Sequence, residues 1–157
     1  MRALTHKLLF VLPLAALLFG VTACDSNDDE DATDSELFVG SWVVDETMDG
    51  SGPVDLVTFS DTFFDFTDSG SATIRAIGVD PANTVQLSGS YAVNEGSRTI
   101  TVSIAIEGLG TVPLSATYAF DGNDAVTLTI APATATLLGP LFGTTFEGSV
   151  TLSLLRD

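Results

Sequence analysis

Hydrophobic and polar residues alternate along most of the chain after residue 37, with the period of two that is typical of half-buried β-strands. Between Thr99 and Ile106, for example, isoleucine or valine occupies every second position, and small or hydroxyl residues occupy the others. Glycine, asparagine and aspartate interrupt the pattern at short intervals and predict hairpin turns. The pattern predicts eight strands, at residues 39–45, 55–66, 71–77, 84–93, 98–106, 112–120, 125–131 and 145–156.

No segment shows helical periodicity, so the predicted fold class is all-β. Strands joined mostly by short hairpins favour an eight-stranded antiparallel up-and-down barrel, because closing the sheet removes its exposed edges. An open β-sandwich is the alternative architecture. Arg156 falls on the inward face of the last predicted strand, together with Val150, Leu152 and Leu154, and an arginine there requires a partner.

The composition is strongly acidic, with 21 aspartates and glutamates against five lysines and arginines. From Cys24 onward the only basic residues are Arg75, Arg98 and Arg156, which gives this part a formal charge of −18. Such a surface excludes nucleic acid as a partner and disfavours electrostatic binding to anionic lipid. It suits a halophilic source, because carboxylates hold water and salt screens their repulsion. An ordinary acidic secreted protein is the alternative.

The N-terminus has the pattern of an export signal. Arg2, His6 and Lys7 precede an apolar run at residues 8–19, which is shorter than the roughly 20 apolar residues that span a membrane. The sequence Val21-Thr22-Ala23-Cys24 then resembles the bacterial lipobox. The resemblance implies that residues 1–23 are a cleaved signal peptide and that Cys24 is lipidated. The partner would be membrane lipid, reached through diacylglycerol and a further acyl chain such as palmitate on the cysteine.

Residues 24–36 form an acidic stretch that is almost free of apolar side chains, and it predicts a disordered tether. The spacing resembles a calcium-binding EF-hand loop, but Glu30 occupies the position that requires glycine, so no metal site is predicted. The stretch could also act as a sorting signal. Asp25 resembles an inner-membrane retention signal, and residues 28–31 resemble a surface-export signal. We expect the bacterial cell envelope, with the outer membrane or cell surface favoured.

Residues 37–157 resemble the lipocalin-like domains of bacterial lipoproteins. Gly40-Ser41-Trp42 resembles the G-x-W opening of that family's first strand, and residues 88–93 resemble a G-x-Y-x-V strand. Arg156 resembles the arginine that packs across this tryptophan in the family. The resemblance implies a Trp42–Arg156 pair at one barrel end. The alternative is that Arg156 is a frayed terminal residue.

The part of the chain after Cys24 offers little catalytic chemistry, because it contains no lysine, no histidine and no further cysteine. Asp61 and Asp65 are the only pair of carboxylates with apolar surroundings, and we interpret them as residues of a bulged strand that face water. We therefore predict a non-enzymatic protein without a cofactor. Binding is the remaining class of function.

Several apolar side chains could line a ligand cavity, and the small residues Ala72, Gly89 and Ala116 would leave room for it. The candidate lining residues are Phe59, Phe64, Phe66, Ile74, Leu87, Tyr91 and Tyr118. A long uncharged segment, residues 132–143, carries Leu137, Leu138, Leu141 and Phe142 and predicts a lid, with a simple flap over the barrel end as the alternative. Two hypotheses follow: a lipid-anchored barrel that binds a small apolar ligand, and an envelope structural module with a filled core and unidentified protein partners.

Overall fold

The computed structural model describes residues 32–54, 59–106, 110–142 and 144–157. Cys24, the predicted signal peptide and most of the predicted tether lie outside these residues. The strands are β1 (Gly40–Asp49), β2 (Gly52–Pro53), β3 (Phe59–Phe66), β4 (Ser71–Gly78), β5 (Val85–Asn94), β6 (Thr99–Ile106), β7 (Gly110–Asp121), β8 (Ala125–Ile130) and β9 (Val150–Arg156). The helices are α1 (Asp34–Phe38), α2 (Pro132–Leu138) and the 3₁₀ turns η1 (Pro81–Asn83) and η2 (Gly139–Phe142).

Eight of these strands form a closed antiparallel barrel, as the sequence predicts. Each strand from β3 to β8 pairs with the next one along the chain, and β1 pairs with both β3 and β9. In the β1–β9 pairing, which closes the barrel, Trp42 lies opposite Arg156 and Val44 lies opposite Leu154. The two-residue strand β2 only extends the turn after β1.

Alternation places the predicted apolar faces inside the barrel. Ile100, Val102 and Ile104 of β6 are all buried, while the intervening threonine and serine side chains are only partly buried. The same rule applies to the inner faces of β7, β8 and β9, so one continuous apolar core fills the barrel. Burial of this core is the main source of stability for the fold.

The first strand is longer than predicted and contains a β-bulge. It continues to Asp49 instead of ending at residue 45, and its register with β9 shifts between Val44 and Glu46. A bulge inserts one extra residue and thereby changes which side chains face inward. Trp42 is buried before the bulge and Thr47 after it, whereas Glu46 is exposed. Without the bulge, strict alternation would direct Glu46 into the core. The last strand is shorter than predicted, since β9 begins at Val150.

Two short helices correct the expectation that the chain has none. Helix α1 takes in residues 34–36 of the predicted tether, because Thr33 and Glu36 form a reciprocal capping box that fixes the first turn. Helix α2 lies in the predicted lid segment, with Pro132 at its first position and Ala135 and Leu138 buried on one face. Seven residues are too few for a visible helical period. None of the helices among the described residues is long and apolar enough to cross a membrane.

Gly89 lies where the backbones of β5 and β6 approach each other closely. It is opposite Ile104, and a Cβ atom built on it would overlap the carbonyl oxygen of Ser103 and lie 2.8 Å from its carbonyl carbon. The missing side chain at Gly89 therefore permits tight strand packing and does not provide ligand space. Glycine often has this role where a barrel sheet bends sharply.

Candidate functional site

One end of the barrel is closed by an aromatic and arginine cluster, which we call the closed end. Trp42 is completely buried, and its Nε1 donates a hydrogen bond to the Phe38 carbonyl oxygen at 2.8 Å. The Arg156 guanidinium carbon lies 4.4 Å from the centroid of the Trp42 ring. Gly40 leaves space for this contact, since it has a φ of 136° and a Cβ atom there would lie 2.7 Å from Arg156 Nη1.

The guanidinium of Arg156 also joins three segments of backbone. Its Nη2 and Nη1 donate to the carbonyl oxygens of Leu37 at 2.7 Å and Val39 at 2.9 Å, and its Nε donates to that of Asn123 at 3.0 Å. The carboxylate of Asp124 is 3.7 Å from Nε. Arg156 thus holds the end of α1, the start of β1 and the β7–β8 turn together, which explains an arginine on an inward face.

Helix α1 seals the closed end. Phe38 is fully buried and makes aromatic contacts with Phe66, Tyr118 and Phe120. The Tyr118 hydroxyl donates to a carboxylate oxygen of Asp34 at 2.6 Å. Burial, together with this hydrogen bond to an anion, raises the pKa of Tyr118 well above its ordinary value of 10.0. The contact fastens the first turn of α1 to the barrel wall.

We expect the free energy of unfolding to be constant between about pH 7 and pH 9 and to fall from about pH 10 upward, because the unfolded tyrosine ionises while folded Tyr118 keeps its proton. The segment after Cys24 has no lysine, and the chain has only two tyrosines, so few other groups titrate there. Urea unfolding of a Cys24→Ser protein at several alkaline pH values measures the slope, and Tyr118→Phe should reduce it. Tyr91, whose pKa is also raised by burial, is the comparison residue. An equal slope in wild type and Tyr118→Phe would contradict this assignment.

The opposite end is covered by α2 and η2, residues 132–142, which we call the lid segment. Ala135 and Leu138 are buried, Leu137 is 56 % exposed, and the rings of Phe142 and Phe59 meet edge to face at 5.8 Å. The backbone of Leu141 lies in η2, and its side chain lies outside the described part of the structure. The lid segment therefore presents at least two apolar side chains to the barrel interior.

Two small cavities lie beneath the lid segment. The main cavity has a volume of about 40 Å³, with a lining that includes Phe64, Ile74 and Leu128. The second cavity has a volume of about 20 Å³ and shares Leu138 and Phe142 of the lid segment with the first. Sites for small molecules usually measure about 300–1,000 Å³. With the lid segment in place, these two cavities, which are lined by described residues, are therefore much smaller than such a site.

The seven predicted cavity residues do not form one group. Phe64 and Ile74 line the main cavity. Phe66 and Tyr118 pack beneath α1 at the closed end, and Phe59 contacts Phe142. The remaining two, Leu87 and Tyr91, are half-buried on β5, and the Tyr91 hydroxyl donates to the Thr67 carbonyl oxygen at 3.0 Å.

Two threonines that the sequence analysis did not select line the second cavity. Thr47 and Thr62 are only 6 % and 4 % exposed. Thr62 shares its face with Phe64 and Phe66, so its inward direction follows from alternation. Thr47 faces inward because of the bulge in β1, which the sequence pattern does not reveal.

A carboxylate fastens the loop that leaves the lid segment. Asp49 accepts hydrogen bonds from the backbone nitrogen of Glu147 at 2.7 Å and from the nitrogen and hydroxyl of Ser51 at 2.8 and 2.7 Å. The bond from Glu147 and those from Ser51 lower the pKa of Asp49, so it is ionised at neutral pH. Asp49 therefore holds the loop between η2 and β9. This loop follows the lid segment in the chain, so Asp49 does not bind the lid segment itself.

The two strand carboxylates Asp61 and Asp65 both lie on β3. Asp65 accepts hydrogen bonds from Arg75 at 2.8 Å and from Ser41 at 2.7 Å on the outer wall. Partial burial opposes ionisation of Asp65, but these bonds lower its pKa overall. Asp61 is exposed on the same strand. No group of three metal-ligating side chains occurs within the described ranges.

The comparisons with known proteins identify the fold. No family model matches the chain, and the search of curated proteins finds no match. A solved lipocalin-like protein from Bacteroides uniformis is similar over 77 % of this chain and 99 % of its own, with 13 % sequence identity and a TM-score of 0.50. An uncharacterized protein from Bacteroides eggerthii matches over 76 % of this chain and 99 % of its own, with 13 % identity and a TM-score of 0.47, which is too low to add weight. At this identity the first likeness concerns the fold alone: the chain has a closed, lipocalin-like, eight-stranded β-barrel.

Proposed function

We propose that the protein is a non-enzymatic lipoprotein of the bacterial envelope whose barrel binds a small hydrophobic ligand beneath the lid segment. Residues 1–23 would direct export, and Cys24 would carry the lipid that attaches the protein to the membrane, with the outer membrane or cell surface favoured. The closed end would serve as the rigid base of the barrel, and the lid segment as the entrance to the ligand site.

The observation that carries this proposal is how the lid segment is held. Within the described residues, its hydrogen bonds are local ones, such as Ala135 to Ala131 and Thr144 to Gly139, and none joins it to a barrel strand. Apolar side chains, chiefly Leu138 and Phe142, attach it to the core. Outward movement would break none of the hydrogen bonds found among the described residues between this segment and the barrel, and it would join the two cavities into one site.

The small size of the two cavities favours the second candidate, a structural module of the envelope. Together they measure about 60 Å³, and they would not hold a ligand if the lid segment never moved. In that case the lid segment would be a permanent part of the core, and the outer surface would carry the function. The two candidates differ in whether the interior accepts an apolar molecule.

Binding of the dye 1-N-phenylnaphthylamine to wild type, Leu138→Ala and Leu137→Ala distinguishes the candidates. Leu138→Ala should bind the dye at least about threefold more tightly than wild type, and should cost about 2–4 kcal/mol of stability, because it removes a buried lid contact and enlarges the cavity. The matched change at the exposed neighbour, Leu137→Ala, should alter neither value by much. Native mass spectrometry of protein from its own host should find a retained apolar mass. A clean apo mass, with no dye uptake by any of the three proteins, supports the filled module.

A further inference from the structure

A groove on the protein surface lies between the lid segment and the loop that follows it. Its volume is about 210 Å³, compared with about 40 and 20 Å³ for the two cavities beneath the lid segment. All of its lining residues are uncharged: Thr136, Gly139, Pro140, Thr144, Thr145 and Phe146. The groove therefore offers an uncharged molecule more space than either interior cavity does.

Phe146 separates this groove from the barrel interior. It lines both the groove and the second cavity, and no other described residue that lines the groove lines either interior cavity. The second cavity in turn shares Leu138 and Phe142 with the main cavity. Phe146 is half-buried and packs against the apolar core. The groove, the second cavity and the main cavity are therefore neighbours in that order, with Phe146 between the first two.

The backbone is held on both sides of Phe146. The Thr144 nitrogen donates to the Gly139 carbonyl oxygen at 3.0 Å, and the Glu147 nitrogen donates to the Asp49 carboxylate at 2.7 Å. A Cβ atom on Gly139 would lie 2.6 Å from the Thr144 carbonyl oxygen, so the lid segment and the loop are in close contact there. Rotation of the Phe146 side chain about its own bonds breaks none of these hydrogen bonds.

We infer that the groove is the outer part of the ligand site, and that the Phe146 side chain is a gate between the groove and the barrel interior. This inference rests on the proposed function, because it concerns the entry of the same apolar ligand. Rotation of one ring opens the path beside the lid segment, before the lid segment itself has to leave the core. The uncharged lining suits an uncharged ligand, since an ion would lose hydration there without gaining a partner of opposite charge.

A gate has a kinetic effect that a simple packing residue does not have. It sets the height of the barrier between the free and the bound ligand, so it changes the rates of entry and exit by the same factor and leaves the affinity nearly constant. A side chain that only fills part of the site changes the affinity, and most such changes act through the exit rate. Measurement of both rates therefore distinguishes the two roles of Phe146.

The test is stopped-flow fluorescence of the uncharged dye 1-N-phenylnaphthylamine with full-length wild type, Phe146→Ala and Phe146→Trp. Phe146→Ala should raise kon and koff by about tenfold each, which corresponds to about 1.4 kcal/mol of barrier height, and should change Kd by less than about threefold. Phe146→Trp should lower both rates, because the larger ring blocks more of the passage. The tryptophan variant keeps the apolar contacts of position 146, so it tests the gate even if Phe146→Ala loses stability.

Phe120→Ala is the matched control. Phe120 is also a half-buried phenylalanine that packs against the core, but it contacts Phe38 and Trp42 at the closed end. Its substitution should leave both rates within about twofold of wild type. Equal acceleration by Phe120→Ala and Phe146→Ala would mean that any loss of packing loosens the barrel, and it would overturn the gate.

Two other results would also overturn the gate while leaving the proposed function intact. Unchanged rates in both Phe146 variants would mean that the ligand enters elsewhere, and faster exchange in Leu138→Ala would then indicate movement of the lid segment. A changed koff with an unchanged kon would mean that Phe146 only fills the site. Absence of dye binding by wild type, Leu138→Ala and Phe146→Ala would instead remove the proposed function, and this inference with it.

Discussion

Gly89→Ala should lower the stability of the barrel by about 3 kcal/mol or more, which corresponds to a fall in Tm of roughly 10 °C or more for a domain of this size. The added methyl group would overlap the Ser103 carbonyl oxygen, and it would lie 3.1 Å from the Ile104 Cα atom. Both obstacles are backbone atoms of β6. They cannot change rotamer as a side chain could, so the two strands would have to separate. Thermal unfolding followed by circular dichroism measures the effect.

Gly96→Ala is the matched control for this change. Gly96 lies in the turn between β5 and β6, has no positive φ, and a Cβ atom there would meet only the Asn94 side chain at 3.5 Å, an ordinary contact. Its substitution should move Tm by a degree or two at most. If Gly89→Ala and Gly96→Ala behave alike, close strand approach is not the reason for glycine at position 89.

The second large effect is expected for Arg156→Ala, which should cost about 3 kcal/mol. Charge-assisted hydrogen bonds contribute about 1.5–3 kcal/mol each in favourable cases, and a cation over an indole ring contributes about 0.5–2 kcal/mol. The substitution removes three such bonds and the contact with Trp42. The partial exposure of the arginine keeps the total below the sum of these values. Urea unfolding gives the free energy directly.

Two further variants show whether the loss of stability comes from the charge of Arg156 or from its hydrogen-bonding geometry and position. Arg156→Lys keeps the charge but loses the planar fork that reaches several carbonyl groups, so it should recover only part of the stability. Arg75→Ala removes an arginine of similar exposure on the outer wall, which has one aspartate partner and lies over the Phe63 ring but bonds no backbone carbonyl group among the described residues; it should cost about 1 kcal/mol at most. Similar losses for Arg75→Ala and Arg156→Ala would mean that Arg156 has no special role in closing the barrel.

Much of the fold could be predicted because alternation is a local property. The inner faces of β6, β7 and β8 follow from every second residue, and the turns follow from glycine, asparagine and aspartate. Closure follows from the number of strands and from their short connections. The extent of the first strand, β1, was harder to predict, because a bulge has no clear signature in the local sequence. Helix α2 was missed because burial of Ala135 and Leu138 stabilises it, and sequence periodicity cannot detect so short an element.

The candidate site was less predictable than the fold. Apolar residues were expected to surround one cavity, but their positions along the barrel axis divide them between the two ends, and this depends on strand register. Register is a relation between distant residues, so composition and spacing do not give it. The inward position of Thr47 could not be predicted for the same reason, because it depends on a shift in the pairing of β1 with β9. The segment that carries Leu138 and Phe142 could be singled out from the sequence, because an uncharged apolar segment is unusual on so acidic a chain.

Closure through β1 and β9 also affects how the chain folds. Arg156 binds the carbonyl oxygen of Val39, a residue 117 positions earlier in the sequence. Contacts of such long range form slowly, because a large loop must close before they contribute any stability. Neither the β1–β9 pairing nor the closed end can form until β9 has been synthesised. The chain would therefore remain unfolded throughout most of its synthesis, which is the state that the export we propose would require.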